Sequence, residues 1–292
     1  MLEALDIFDP SSYPTRRDED WKYSDLSRIL RVVPAANDVR ASHEIIDVLA
    51  GEHVMRLDRY DASAPVTHQD IAVTLGENAS LTRVIILDEP EDAVSIRRAT
   101  VTTAPGSTFR QYVFSTGARF QRFETHVEHA GHGASVELHG AYLLKDKAHF
   151  DLTTRVNHAA PDGVTSQLIK GLVKDQATAV FQGRIKVERG ADGTDARMRH
   201  QALMLNDGAH VRAKPELEIY ADDVQCAHGN TIGAMDEQAL FFCQSRGMPE
   251  TVARQLLMQA FITPVADQIE DEDLHAKVLE FLEEKSRGFY AV

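Results

Sequence analysis

The sequence predicts a mainly β protein with helical segments at both ends. Three observations predict it: short runs of alternating apolar and polar residues from 81 to 233, a switch to helical spacing from 234 to 292, and mixed helical and irregular signals from 1 to 80. No helical pattern of roughly ten or more residues interrupts the middle region, so crossover helices are not expected there. Many short strands without such helices are compatible with a sandwich, a barrel or a β-solenoid, and periodicity leaves the three open.

In the first region, Asp18-Glu-Asp-Trp-Lys-Tyr-Ser-Asp-Leu opens a helix pattern with Trp21, Leu26, Ile29 and Leu30 at roughly helical spacing. This region reads as a small cap or docking segment. In the middle region, Ala179, Phe181, Ile185 and Val187 share one face of a strand, with Gly183 between them and Gln182, Arg184 and Lys186 opposite. Val136, Leu138, Tyr142 and Leu144 repeat the pattern around Gly140, and Leu217, Ile219 and Ala221 repeat it again. Phe181, Ile185, Val187 and Ile219 are expected in the core, and Gly183 and Gly190 at turns or close backbone approaches. Asp-Gly steps at 162, 192 and 207 supply turns. In the last region, Asp236 is a good N-cap for a helix that stops at Arg246-Gly247. A second helix starts near Pro249, carries Val252, Leu256, Leu257, Ala260 and Phe261, and is kinked or ended by Pro264. A third has Leu274, Val278, Phe281 and Leu282 on one face.

Composition bounds the partners. The 292 residues include 31 Lys or Arg and 45 Asp or Glu, a formal charge of −14, with the basic residues scattered singly. Nucleic acid and an anionic membrane surface are therefore not expected partners. No stretch approaches the roughly 18 apolar residues that span a bilayer, and the acidic N-terminus lacks a basic and then apolar leader, which predicts a cytoplasmic location. Two cysteines, Cys226 and Cys243, are too few for a disulfide framework or for a four-ligand metal centre by themselves.

Two stretches carry candidate chemistry. His126, His129 and His132 lie within seven residues of one another, with His139 and His149 following. In a straight strand His129 points away from the other two, so a metal site needs a turn or bulge, and a solvated β-surface is the plainer reading. The alternative function that this cluster suggests is a metal-dependent β-solenoid enzyme. The second stretch is Tyr220-Ala-Asp-Asp-Val-Gln-Cys-Ala-His-Gly-Asn-Thr-Ile-Gly, which puts Cys226 and His228 on one face of an extended segment. Thiol and imidazole side by side suit iron, copper or zinc, or a nucleophilic pair, although a buried cysteine near a bonded histidine is also common in cores. There is no GxxxxGK[ST] and no GxGxxG after a strand, so no nucleotide is expected on this chain itself.

Taken in order, Trp21-Lys-Tyr-Ser-Asp-Leu, Asn157-His-Ala-Ala-Pro, Gln167 with Lys170-Gly171, Phe181-Gln-Gly-Arg-Ile-Lys-Val, Gly190-Ala-Asp-Gly-Thr-Asp-Ala, Lys214-Pro-Glu-Leu-Glu-Ile-Tyr-Ala-Asp-Asp-Val-Gln-Cys-Ala-His-Gly and Asp236-Glu-Gln-Ala-Leu-Phe-Phe-Cys resemble the SufB/SufD family of the SUF iron-sulfur cluster assembly system, in its SufD branch. The resemblance runs from about 105 to 270 and is weak between about 35 and 100. It implies a right-handed parallel β-helix core at 81–233, between an N-terminal helical or irregular segment at 1–80 and a C-terminal helical segment at 234–292.

The same resemblance implies a non-catalytic scaffold subunit. Its partners would be a SufB-like paralogue and a SufC-like ATPase, and its cargo an iron-sulfur cluster held transiently and shared with SufB. His228 matches the family histidine that acts at the SufB interface, and Cys226 matches the neighbouring cysteine. The C-terminal helical region would dock SufC, with Phe241, Leu256, Leu257 and Phe261 as its expected contacts. Ala227 stands where Ser is usual, Asn230 where Ala is usual, and Pro264 interrupts the helix expected to meet SufC. Exposed lateral strands also predict a homodimer when the paralogue is absent.

Overall fold

A computed structural model describes residues 5–61 and 64–290. Its strands are β1 (Val39–Val48), β2 (His53–Tyr60), β3 (Val66–Leu75), β4 (Ser80–Leu87), β5 (Val94–Thr102), β6 (Thr108–Ser115), β7 (Phe120–His129), β8 (Ser135–Leu144), β9 (His149–His158), β10 (Val164–Val173), β11 (Thr178–Val187), β12 (Asp195–Met204), β13 (His210–Ile219) and β14 (Gln225–Gly233). Odd-numbered strands form one seven-stranded sheet in chain order and even-numbered strands form another. Every pairing between these strands is parallel. Each consecutive pair is therefore one turn of a flattened β-solenoid of about seven turns. Sandwich and barrel are excluded.

Short corners join the sheets, and polar residues make them. Asp146 and Asp175 adopt left-handed φ angles of 57° and 58°. Asp175 Oδ2 accepts from Asp146 N at 3.0 Å, and Asn206 Oδ1 accepts from Asp175 N at 2.6 Å, so one corner stacks on the next. The Asp-Gly steps at 162 and 192 also lie in turns, where Asp162 and Gly193 take φ angles of 56° and 74°.

Inward-facing rows stack into columns and form the interior. On β11 the buried row Ala179, Phe181, Ile185 and Val187 follows the predicted alternation. Gln182 is buried on the opposite face because the N-terminal segment lies over it, with Asp20 O accepting from its Nε2 at 2.9 Å. Gly183 is a close approach: a Cβ there would come within 2.1 Å of Met198 Sδ. Ile219 departs from the predicted core set and is 42% exposed, because β13 belongs to the last turn and nothing stacks beyond it.

The solenoid begins at Val39, inside the stretch that the sequence pattern assigned to a helical or irregular segment. The reason is the composition of the first turn. Its inward row contains Glu44, Arg56 and Asp58, which erase the apolar alternation that marks later strands. The helix pattern at 18–30 is also broken. It becomes a 3-10 turn, Glu19–Trp21, and a single helical turn α1 (Leu26–Ile29), because Asp25 caps the second piece and the Ser24 hydroxyl is drawn to the Asp151 carboxylate. Trp21 anchors the segment, with its ring 6.4 Å from Phe120 and the buried Arg122 guanidinium 4.1 Å over its face.

Helices α2 (Glu237–Ser245), α3 (Glu250–Ala266) and α4 (Glu272–Tyr290) follow the solenoid. Asp236 accepts from Gln238 N and Ala239 N as the α2 cap, and Gly247 takes φ 86° after its end. Pro264 lies in the last turn of α3, which stops two residues later. Met258, Ile262 and Val265 of α3 and Val278 and Phe281 of α4 pack on Val84, Phe114, Leu143 and Leu172, the outer face of the even sheet. No helix among the described residues is long and apolar enough to cross a membrane.

Candidate functional site

The last turn of the solenoid is where the predicted residues meet. Among the described residues β13 is hydrogen-bonded to β11 alone, and β14 to β12 alone. In the parallel register Cys226 pairs with Ala196, His228 with Met198, Asn230 with His200 and Ile232 with Ala202. Those four β12 residues are buried in the interior row, so their β14 partners continue that row one turn further. No described residue stacks on them as a further turn, and His228, Asn230 and Ile232 are exposed while Cys226 is half-buried against the core. Val211 and Leu217 of β13 form the facing half of this open end.

Backbone direction adds a second property. The N–H groups of His210 and Tyr220 donate to Ala177 O and Val187 O of the preceding turn. Amide groups alternate sides along a strand, so odd-numbered β13 residues present theirs to the free edge. Pro215 sits among them and has no N–H to offer, as expected of an edge strand. On β14 the N–H of Gln225 donates to Thr194 O, which turns the amides of Cys226, His228, Asn230 and Ile232 outward. The β14 edge is thus uninterrupted where the β13 edge is broken.

Burial raises the Cys226 thiol above its ordinary pKa, which favours the protonated form. Beneath Asn230 lies His200, fully buried and stacked on Phe181 at 4.9 Å. Its Nδ1 is 2.7 Å from Asn230 Oδ1 and its Nε2 is 2.8 Å from the Tyr142 hydroxyl. Burial pushes this imidazole down to about 4, so it is neutral at physiological pH. In the sequence Asn230 is only a departure from the family pattern and Tyr142 one residue of an apolar row, and no motif marks His200. Their contacts join residues 30 and 58 positions apart, which only the register of the turns reveals.

The histidines at 126–132 do not converge. His126 lies on the outer face with Nε2 3.3 Å from Glu124 Oε2. His129 is inside the solenoid, stacked on His158 at 4.4 Å. His132 lies past the strand end, exposed, with Nε2 3.0 Å from Asp162 Oδ2. Among the described residues no group of three or more His, Cys, Asp or Glu is placed to hold a metal ion. His149 Nε2 lies 3.2 Å from the Ser24 hydroxyl, which bonds the buried Asp151 carboxylate directly, so these contacts pin the N-terminal segment.

Of the helical residues singled out, Phe241 and Leu256 are exposed, at 70% and 46%. Phe242 and Val252 are exposed as well. Leu257 and Phe261 instead lean on the helical core, and the Lys170 ammonium lies 4.6 Å over the Phe261 ring.

A family model described as SUF system FeS cluster assembly, SufBD core domain, matches residues 32–261. The chain belongs to the SufBD family. It is 32% identical over 199 residues, 68% of this chain and 44% of the relative, to an iron-sulfur cluster assembly SufBD family protein of Synechocystis. It is 27% identical over 250 residues to the iron-sulfur cluster assembly protein SufD of Escherichia coli, covering 84% of this chain and 59% of that protein. It is 34% identical over 163 residues to the SufD protein of Plasmodium falciparum, covering 54% of this chain and 11% of that one. These relatives mark it as the SufD type within the SufBD family. The chain spans about half the length of the first two relatives.

Proposed function

We propose that this SufBD chain is a non-catalytic scaffold in iron-sulfur cluster assembly, whose open last turn is closed by a SufB-like paralogue. The observation that carries the reading is the uncapped inward row of β14, where an exposed His228 and a half-buried Cys226 stand beside an unbroken backbone edge. A strand of the partner adds to β14, and its side chains cover Leu217, Ile219 and Ile232. The buried face then holds the cluster as cargo, with His228 as this chain's ligand and Cys226 beside it. One imidazole and one thiol fall short of the usual four ligands, so the remainder come from the paralogue. Without that paralogue the same edge pairs two copies of this chain. Phe241 and Leu256 form the docking surface for a SufC-like ATPase, which supplies the nucleotide work for which this chain has no phosphate loop.

His228→Ala tests the reading. The variant is expected to fold and to bind both partners like the parent, while the complex loses all or most of the cluster it forms from ferrous iron and sulfide, measured by visible absorbance and iron content. Unchanged cluster yield would remove His228 from the ligand set.

A further inference from the structure

The hydrogen-bond chain beneath the open turn has a direction. The Tyr142 hydroxyl is buried, and burial holds it protonated by pushing its pKa well above the ordinary value. Its one acceptor among the described residues is His200 Nε2, at 2.8 Å. The hydroxyl therefore donates there, since leaving a buried O–H without an acceptor is costly. With Nε2 accepting, the neutral ring carries its proton on Nδ1, which donates to Asn230 Oδ1 at 2.7 Å. The Asn230 carbonyl oxygen is thereby committed inward, and its two Nδ2 protons are left to face outward. Asn230 stands in the same inward row as His228, two residues along an exposed strand, so the two side chains project from points roughly 7 Å apart. The outcome is an amide donor aimed by two buried residues at the end face, next to the imidazole assigned to the cargo.

We propose that Asn230 donates an N–H hydrogen bond to an iron-bound sulfur at the His228 face, and that His200 and Tyr142 are positioning residues that aim it. The inference rests on the scaffold reading above and adds a specific task for three residues. Sulfide and thiolate are the anionic acceptors that an iron-sulfur cargo brings to such a donor. Hydrogen bonds to sulfur offset its negative charge and raise the reduction potential of a cluster. The position is open at the surface and the amide belongs to no strand ladder, so its alignment depends on the chain beneath it.

The test uses the complex of the full chain with its paralogue and ATPase, loaded with ferrous iron and sulfide, and reads cluster yield and reduction potential by spectroelectrochemistry. Asn230→Ala is expected to keep near-parental yield and thermal stability and to shift the potential to more negative values. His200→Phe, which keeps the stack on Phe181 and deletes both hydrogen bonds, is expected to shift it the same way by a smaller amount, and Tyr142→Phe by less again. A His228-dependent cluster whose potential is unmoved by Asn230→Ala overturns the inference and leaves the scaffold reading standing. Complete loss of cluster in Asn230→Ala also overturns it, because Asn230 would then be required for binding rather than tuning. A parental complex that forms no His228-dependent cluster overturns both. Asn230 is exposed, so its variant carries the test even where a His200 variant fails to fold.

Discussion

At the first turn of the solenoid part of the inward row is finished with paired charges, whereas at the last turn the same row is left without ion pairs and open. Arg56 reaches Glu44 on the facing sheet at 2.5 Å and also bonds Asp58, which in turn holds the buried Arg83. Arg83 donates to the Tyr60 hydroxyl at 3.1 Å, and Arg97 lies 4.2 Å over the Tyr60 ring with Glu89 at 2.7 Å. That end is a lattice of paired charges in contact with water at its rim. The other end presents Leu217, Ile219, Cys226, His228, Asn230 and Ile232 with no counterpart. A core rimmed by ion pairs needs less from a partner to screen its hydrocarbon, while one that stops at a row of Leu217, Ile219 and Ile232 remains incomplete until another surface covers it. The interior follows the same division: guanidinium–carboxylate pairs fill the early turns, and neutral imidazoles, His129, His158 and His200, fill the later ones.

Removing the charge that closes the first turn gives the largest expected effect. Arg83→Met leaves the Asp58 carboxylate and the Tyr60 hydroxyl without their buried donor, at a cost of about 3–5 kcal/mol in urea unfolding, with partner binding at the far end retained. A loss below about 1 kcal/mol would mean that Arg56 alone satisfies Asp58.

Acid sharpens the contrast between the two interiors. Burial pushes His158 down to about 3 and His200 to about 4, whereas the same groups in the unfolded chain titrate near 6.5. The unfolded state therefore takes up protons first as pH falls. The contribution of these histidines to stability is complete above about pH 6.5 and is lost as pH drops from there toward 4 and 3. Each shift corresponds to roughly 3–5 kcal/mol across that window, and unfolding midpoints measured every half unit should fall accordingly. His158→Phe is expected to flatten the slope by about one proton. A parental midpoint that is flat from pH 6.5 to 4.5 would contradict the neutral, buried imidazoles.

The smallest effect on the isolated chain falls at the open end. Ile219→Glu is expected to change stability by no more than about 0.5 kcal/mol, because the residue is already exposed. Its affinity for the paralogue should fall at least about ten-fold, or about 1.4 kcal/mol, as measured by titration calorimetry. A variant that unfolds but still binds would reverse the assignment of this face.

What was legible in the sequence follows the same geometry. Ala179, Phe181, Ile185 and Val187 announce their strand because turns stack on both sides of β11 and one whole row is buried. The helical tail is legible from Asp236, Gly247 and Pro264, since caps and breakers act locally. The first turn was hidden because Glu44, Arg56 and Asp58 take inward positions that periodicity reserves for apolar residues. Ile219 was misplaced in the core for the converse reason, since alternation identifies the inward face and says nothing of whether another turn covers it. His228 and Cys226 stand out in the sequence by their i, i+2 spacing, and the motif resemblance gives them a role. The pairing of His200 with Asn230 does not stand out, because it depends on which residues one turn sets above another.

The central claim is that the last turn, and not the first, is the face a partner closes. Amide hydrogen exchange read by mass spectrometry, on the chain alone and after saturation with a SufB-like paralogue, tests it most directly. Strong new protection is expected at 225–233, weaker protection at 210–219 where Pro215 interrupts the edge, and none at 39–60. Protection gained at 39–60 with 225–233 unchanged would contradict it.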